Sequence, residues 1–229
     1  MRGLGLLGKL PSHGDFLCRN LPTDLTRPLN RWLAATVAAS RDALGERWLG
    51  AFLEAPIWRF ALAHGICGRS AAAGIWLPSV DRVGRYFPLL IVAPLDRPLA
   101  PTALLHRAGP WYDRLQGLAL ALLDGGLVPA DLDARLADAD PPVIDDFAGL
   151  PWRMALGDAA GWRLADIAPV GSLWWGDGSP LVPASLLACA GLPSPGTFAA
   201  MLDGGFASHG WTELPGRPGG VALADQEVI

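Results

Sequence analysis

Ser12, His13 and Asp15 put a hydroxyl nucleophile, an imidazole base and a carboxylate within four positions. A working catalytic triad lines these groups up by drawing them from separate parts of a fold, whereas near neighbours in one loop point their side chains apart. Pro11 and Gly14 give the segment a plainer meaning: Pro11 ends an apolar run, Gly14 suits a positive φ, and Asp15 can bond nearby backbone amides. The expectation is a strand-to-helix turn. Pro11 and Gly14 shape it, and Asp15 is a candidate partner-binding residue.

The second polar concentration is Pro78-Ser79-Val80-Asp81-Arg82-Val83-Gly84-Arg85-Tyr86-Phe87-Pro88. Asp81, Arg82 and Arg85 are crowded between two apolar runs, which places them in a loop at a sheet end. Asp81 is expected to hold Arg85 in a bidentate pair and so fix a donor fork towards an acidic ligand or partner. The alternative is a salt-bridged turn in which Gly84 supplies positive φ. Pro78, Gly84 and Pro88 are read as turn residues; Asp81, Arg82 and Arg85 join Asp15 as candidate recognition residues. Trp174-Trp175 sends one indole to each side of a strand. One of the pair enters the core and the other lies under a helix or joins a contact surface, so Trp175 is a further candidate.

Other patterns lack the context that their chemistry needs. Gly3-Leu4-Gly5-Leu6-Leu7-Gly8 matches a dinucleotide fingerprint, yet only two residues precede it and Pro11 breaks the stretch after Gly8; the motif needs a strand before and a helix after. His13, His64, His106 and His209 are scattered without metal-ligand spacing. Asp131, Asp133, Asp138, Asp140, Asp145 and Asp146 lack the calcium-loop pattern and read as a solvated helix face and loop. No GxSxG elbow occurs. No catalytic residue, metal ligand or cofactor site is assigned.

The elements that must carry these loops are legible from periodicity. Leu4–Leu10 reads as a first strand. Asp24–Leu44 is a helix by its stripe of Leu25, Leu29, Trp32, Leu33, Thr36, Val37 and Leu44, capped by Thr23 or Asp24 and ended by Gly45. Glu46–Glu54 is a second short helix with Trp48, Leu49, Phe52 and Leu53 inward. Strands are expected over Ile57–His64, Ala73–Leu77, Tyr86–Ala93, Trp152–Leu156 and Gly171–Trp175. Helices are expected over Pro110–Leu123, Ala130–Asp138 and Ser194–Leu202, the last capped by Ser194. Interspersed in this way, they suggest a sheet with helices on both faces.

Of 229 residues, 51% are apolar and 17% charged, a balance that excludes a disordered chain. Cys18, Cys67 and Cys189 are an odd, widely spaced set, which argues against a disulfide framework and for a reducing compartment. No run approaches the roughly 18 apolar residues of a membrane span, and the amino end lacks a secretory apolar region, so the expectation is a cytoplasmic chain without membrane insertion. Residues 1–114 carry 14 Arg and Lys against 8 Asp and Glu (+6), and residues 115–229 carry 4 against 14 (−10). That split suits steering of a partner. Nucleic acid is not the expected one, because no basic run or stripe interleaves with aromatics.

Several stretches resemble one family: GLLGKLPSHGDF (Gly5–Phe16) with RNLP (Arg19–Pro22), PIWRF (Pro56–Phe60), PSVDRVGRYFPL (Pro78–Leu89), SLWWGDG (Ser172–Gly178) and CAGLPSPGTFAAMLDG (Cys189–Gly204). They are similar to the type VI secretion-associated TagF family, most strongly over roughly residues 5–95, while residues 125–170 match nothing specific. The chain is treated as one domain, 1–229, with 1–125 the most family-like part and 126–229 a carboxyl-terminal part. The resemblance implies a three-layer α/β/α sandwich around a mostly central mixed sheet. It also implies a cytoplasmic repressor that binds the forkhead-associated (Fha) scaffold of the secretion machine and is not an enzyme. No phosphatase-like part is legible, so a phosphatase, fused in some family members, is expected as a separate chain. The family often has Arg where this chain has His13, a swap that a general base would not tolerate.

Two rival functions have simple discriminators. A serine hydrolase built on Ser12 or Ser79 needs a hydroxyl within hydrogen-bond reach of an imidazole. A small-molecule sensor needs a sizeable concavity at the sheet end.

Overall fold

The computed structural model describes residues 3–96, 101, 104, 108–125, 131, 134, 135, 171–213 and 221–224. Its strands are β1 (Gly5–Gly8), β2 (Leu17–Arg19), β3 (Trp58–Leu62), β4 (Ala71–Leu77), β5 (Leu89–Leu95), β6 (Ser172–Gly176), β7 (Ser185–Cys189), β8 (Trp211–Glu213) and β9 (Val221–Ala224). They form one sheet in the order β2-β1-β5-β4-β3-β6-β7-β9-β8. Neighbours are antiparallel except β7 and β9, so the sheet is mixed by a single parallel pair. The helices are α1 (Thr23–Leu44), α2 (Trp48–Leu53), α3 (Gly109–Leu123) and α4 (Ala200–Asp203). The expected helix at Ala130–Asp138 and strand at Trp152–Leu156 lie outside the described residues, apart from scattered positions of the former.

The period of two along the central strands sorts their side chains into two clusters. Trp58, Phe60 and Leu62 of β3, Trp76 of β4, Leu90 and Val92 of β5 and Trp174 of β6 join α1, α2 and α4 in one. Ala61, Ala71, Ala73, Ile75, Leu89, Ile91 and Ala93 join Trp111, Tyr112, Leu115, Ala119 and Leu122 of α3 in the other. The first face is aromatic and the second is rich in alanine, which leaves space for the large residues of α3. Indole N–H groups fasten distant segments: Trp32 Nε1 donates to the Pro193 carbonyl at 2.7 Å and Trp58 Nε1 to that of Met201 at 3.0 Å. Trp76 Nε1 is fully buried without a hydrogen-bond acceptor among the described residues. Its ring meets Phe198 in a T-shaped contact with centroids 5.4 Å apart.

The structure corrects several expectations. Leu17–Arg19 is a strand, so Pro11–Phe16 links two antiparallel strands and is not a strand-to-helix turn. Gly14 is absent from the left-handed region that Gly84 occupies at φ 84°. Pro22 stands at the amino cap of α1 and no side chain caps it; Asp24 instead accepts the Arg69 amide at 3.3 Å. A 3-10 turn, Gly45–Arg47, precedes α2, and this rotation turns Ala51 inward while Leu49 and Leu53 are exposed. In the carboxyl-terminal helix, Ser194 Oγ does accept the Thr197 amide at 3.2 Å, but regular α-helix begins only at Ala200.

Candidate functional site

Strand register brings the two polar loops to the same end of the sheet. Leu89 at the start of β5 faces both Gly8, the end of β1, and Leu77, the end of β4. The chain leaving β1 therefore meets the loop between β4 and β5. Gly8 makes the meeting close: at φ 134°, a Cβ there would run into the Pro88 carbonyl and lie 2.9 Å from Leu89 Cα. Only glycine fits both the conformation and the approach.

Residues 79–87 form a small hairpin of their own. Val80 and Tyr86 make an antiparallel bridge, the Phe87 amide donates to the Ser79 carbonyl at 3.0 Å, and the Gly84 amide closes the tip on the Asp81 carbonyl at 3.0 Å. Asp81 lies at its centre with a side-chain exposure of 0%. Its Oδ1 accepts the amides of Val83 at 3.0 Å and Arg85 at 2.9 Å; its Oδ2 accepts Lys9 Nζ at 2.8 Å and Arg85 Nε at 2.6 Å. Burial opposes the charge of this carboxylate, but the Lys9 ammonium and the Arg85 and Val83 donors prevail and hold its pKa well below the usual carboxylate range.

The same residues fasten the first loop. Ser79 Oγ donates to the Lys9 carbonyl at 2.8 Å and the Arg82 amide to the His13 carbonyl at 3.0 Å. Arg85 Nη2 donates to the Gly14 carbonyl. Phe16 meets Phe87 edge to face, with centroids 5.6 Å apart. The expected bidentate Asp81–Arg85 fork is therefore replaced by a split one. Nε serves Asp81, and Nη2 reaches across to the neighbouring loop.

This geometry separates the candidates by role. Asp81 is internal and saturated, hence out of a partner's reach. The Arg82 guanidinium is exposed beside Gly14 and forms no ion pair with a described residue. The Arg85 side chain is 58% exposed although anchored, and Val83 at the tip is 64% exposed. Asp15 is exposed and makes no hydrogen bond among the described residues, in contrast to its expected bonding of local amides. Pro11, Pro78 and Pro88 flank the paired loops. Trp175 lies on another part of the sheet, half-buried against Tyr112 with ring centroids 4.9 Å apart, while Trp174 is buried on the opposite face.

The hydrolase criterion is met in its barest form. Ser12 Oγ lies 2.9 Å from His13 Nδ1, although the two are sequence neighbours at the surface. Among the described residues no carboxylate bonds the other ring nitrogen, the contact that would orient the imidazole and stabilise its charged form. His209 pairs with Asp203 at 3.2 Å, far along the chain, and Ser208 Oγ donates to the Gly205 carbonyl and not to that ring. Burial pushes the Cys67 and Cys189 thiols up to about 12, the latter despite a Ser172 hydrogen bond, so neither supplies a thiolate near neutrality. No three His, Cys, Asp or Glu side chains among the described residues come together as metal ligands.

Sequence reasoning missed Lys9 and the groove beside the loops. Lys9 is the chain's single lysine among 17 arginines and interrupts an apolar run, a signal available beforehand. The groove, about 330 Å³, is walled by Pro11 and Pro78 on the loop side, Leu53 at the end of α2 and Ile57 after it, and Leu120 and Leu123 of α3. Leu120 falls off the buried Leu115–Ala119–Leu122 stripe, which marks it as exposed.

A family model described as the TagF N-terminal domain, type VI secretion system-associated, matches residues 5–139. The chain belongs to the TagF family. The matched region contains both interlocked loops and every residue that lines the groove. Among solved structures, this TagF-family chain is similar to PA0076 from Pseudomonas aeruginosa PAO1, with 34% identity and a TM-score of 0.77 over 94% of this chain and 99% of that one. No curated protein matches it. The expected association with type VI secretion follows from the family. Among the described residues, no helix is long and apolar enough to cross a membrane.

Proposed function

We propose that this TagF-family chain is a cytoplasmic repressor of type VI secretion, and not an enzyme, that acts by occupying the forkhead-associated scaffold of the machine. The observation that carries the reading is the Asp81 lock. Donors from Lys9, Val83 and Arg85 converge on one buried carboxylate, and the product is a stiff exposed edge bearing Arg82, Val83 and Arg85. Fixing an edge before contact lowers the ordering cost of association. Repression by sequestration needs affinity alone, and a dissociation constant near 1 μM corresponds to about 8 kcal/mol. We read the chain as one domain and its layering as a three-layer α/β/α sandwich, in keeping with the two side-chain clusters on the sheet.

The test is co-purification of the chain with the scaffold from cells making both, together with secretion assays. Deletion is expected to raise firing and overproduction to lower it. Unchanged firing in both directions would refute the repressor role. The Ser12–His13 contact favours hydrolysis as a second reading, and it predicts that Ser12→Ala abolishes the cellular effect while scaffold binding persists.

A further inference from the structure

We infer that the groove beside the interlocked loops is a docking site for an extended protein segment with an apolar anchor and an acidic flank. The inference rests on the scaffold-binding reading above and gives that reading a surface. The groove's volume of about 330 Å³ is enough for apolar side chains but lies at the lower end of the range of about 300–1,000 Å³ usual for small-molecule sites. Its walls are mostly apolar, with Ser79 the one polar side chain among the residues that line it. The hydroxyl in it, that of Ser79, is already committed to the Lys9 carbonyl at 2.8 Å, which leaves little to orient a polar metabolite.

Charge complementarity sets the flank. The part of the chain that supplies most of the groove, residues 1–114, carries the +6 balance. On the loop side, the Arg82 guanidinium lies against Gly14, three residues from the groove wall at Pro11, and has no ion-pair partner among the described residues. Arg85 adds a second outward cation. The opposite wall carries exposed Glu54 and Asp124 beside Leu53 and Leu123. The loop side thus carries two outward guanidinium groups, Arg82 and Arg85, against one exposed carboxylate, Asp15, while Glu54 and Asp124 adjoin the helix residues, and a bound segment would have its carboxylates beside the two arginines. Apolar anchors in such a groove supply most of the affinity, and the rim charges set orientation and association rate.

The experiment has two arms, both on the full chain. In the first, affinity for the purified Fha scaffold is measured for wild type, Leu120→Asp, Arg82→Glu and Leu49→Asp. Leu49 is exposed on α2 but outside the groove, and melting curves verify that each variant is folded. Leu120→Asp in the groove and Arg82→Glu beside it are both expected to weaken binding by about tenfold or more, with Leu49→Asp within about twofold of wild type. Wild-type affinity in Leu120→Asp and Arg82→Glu would overturn the groove inference and leave scaffold binding standing.

In the second arm, a photo-crosslinking benzoylphenylalanine replaces Leu120 in cells making the secretion machine, and the captured peptide is sequenced. The expected product is an apolar segment with neighbouring Asp or Glu, lost in the Arg82→Glu background. If the scaffold does not bind wild type in the first arm, the scaffold reading fails and this arm decides the groove alone. Capture of the chain's own residues, of a second copy or of a basic segment, or no capture, would overturn it.

Discussion

Two charged clusters on this molecule are built inside out relative to one another. Around Asp81 the carboxylate is buried and the cations face outward, with Arg85 58% exposed. Around Arg59 the cation is inward at 15% exposure and its partners Asp113 and Asp177, 3.2 and 3.0 Å away, are 67% and 79% exposed. The first arrangement ties two loops together, residues 9–14 and 79–87, and leaves positive charge at the surface. The second leaves negative charge at the surface and, although it touches three segments, contributes little energy, since solvent screens carboxylates so exposed. The lesson is that an ion cluster shapes the fold when its central charge is fully buried and saturated by hydrogen bonds, while the outer members give the surface its sign.

This contrast can be broken most strongly at Asp81. Asp81→Asn keeps the shape but removes the charge and turns an NH2 donor towards either the Lys9 and Arg85 Nε donors or the two backbone amides. Of all single substitutions in the two clusters, it is expected to cause the largest loss of thermal stability, read by calorimetry. The same carboxylate gives the acid limb its sign. Its pKa is lowered in the folded chain, so its contribution is fully present above the ordinary carboxyl value of about 4 and is lost as pH falls through the lower folded value. The melting temperature of wild type should thus fall more steeply below pH 4 than that of Asp81→Asn.

Arg85→Ala removes one ligand of Asp81 and the strap to Gly14 but spares Lys9. About 1 kcal/mol of destabilisation is expected from denaturant titration, given the partial exposure of the side chain. Arg59→Met sharpens the comparison from the other side, with a change of about 0.5 kcal/mol or less by the same measurement. Arg82→Ala should be the smallest, within about 0.5 kcal/mol of wild type, because its side chain ties nothing in the described structure. A change at Arg59 as large as that at Asp81 would erase the distinction.

Much of the frame was legible before the structure. The stripe from Leu25 to Leu44 gives α1 to within a residue, because a long helix shows its period many times over. Short elements show it too few times. Leu17–Arg19 turns only Leu17 inward, and Ser185–Cys189 has Leu, Ala and Cys that suit a helix equally well. Leu49 and Leu53 look buried until the 3-10 turn before α2 rotates the helix. At the site, the four-residue spacing reveals the Asp81–Arg85 pair. Lys9 joins it from 72 positions away, a contact that only the β1–β5–β4 register creates. The groove has the same origin, since its walls come from segments brought together by the sheet and α3.

The most direct test of the central claim is the affinity of the full chain for the purified Fha scaffold, measured across a salt series for wild type and Arg82→Glu. A saturable complex that weakens with salt in wild type, and is weak with a flatter salt response in a stably folded Arg82→Glu variant, is the predicted result. No complex at low salt, or identical salt curves for the two chains, would contradict the claim that this locked, positively charged edge works by holding another protein.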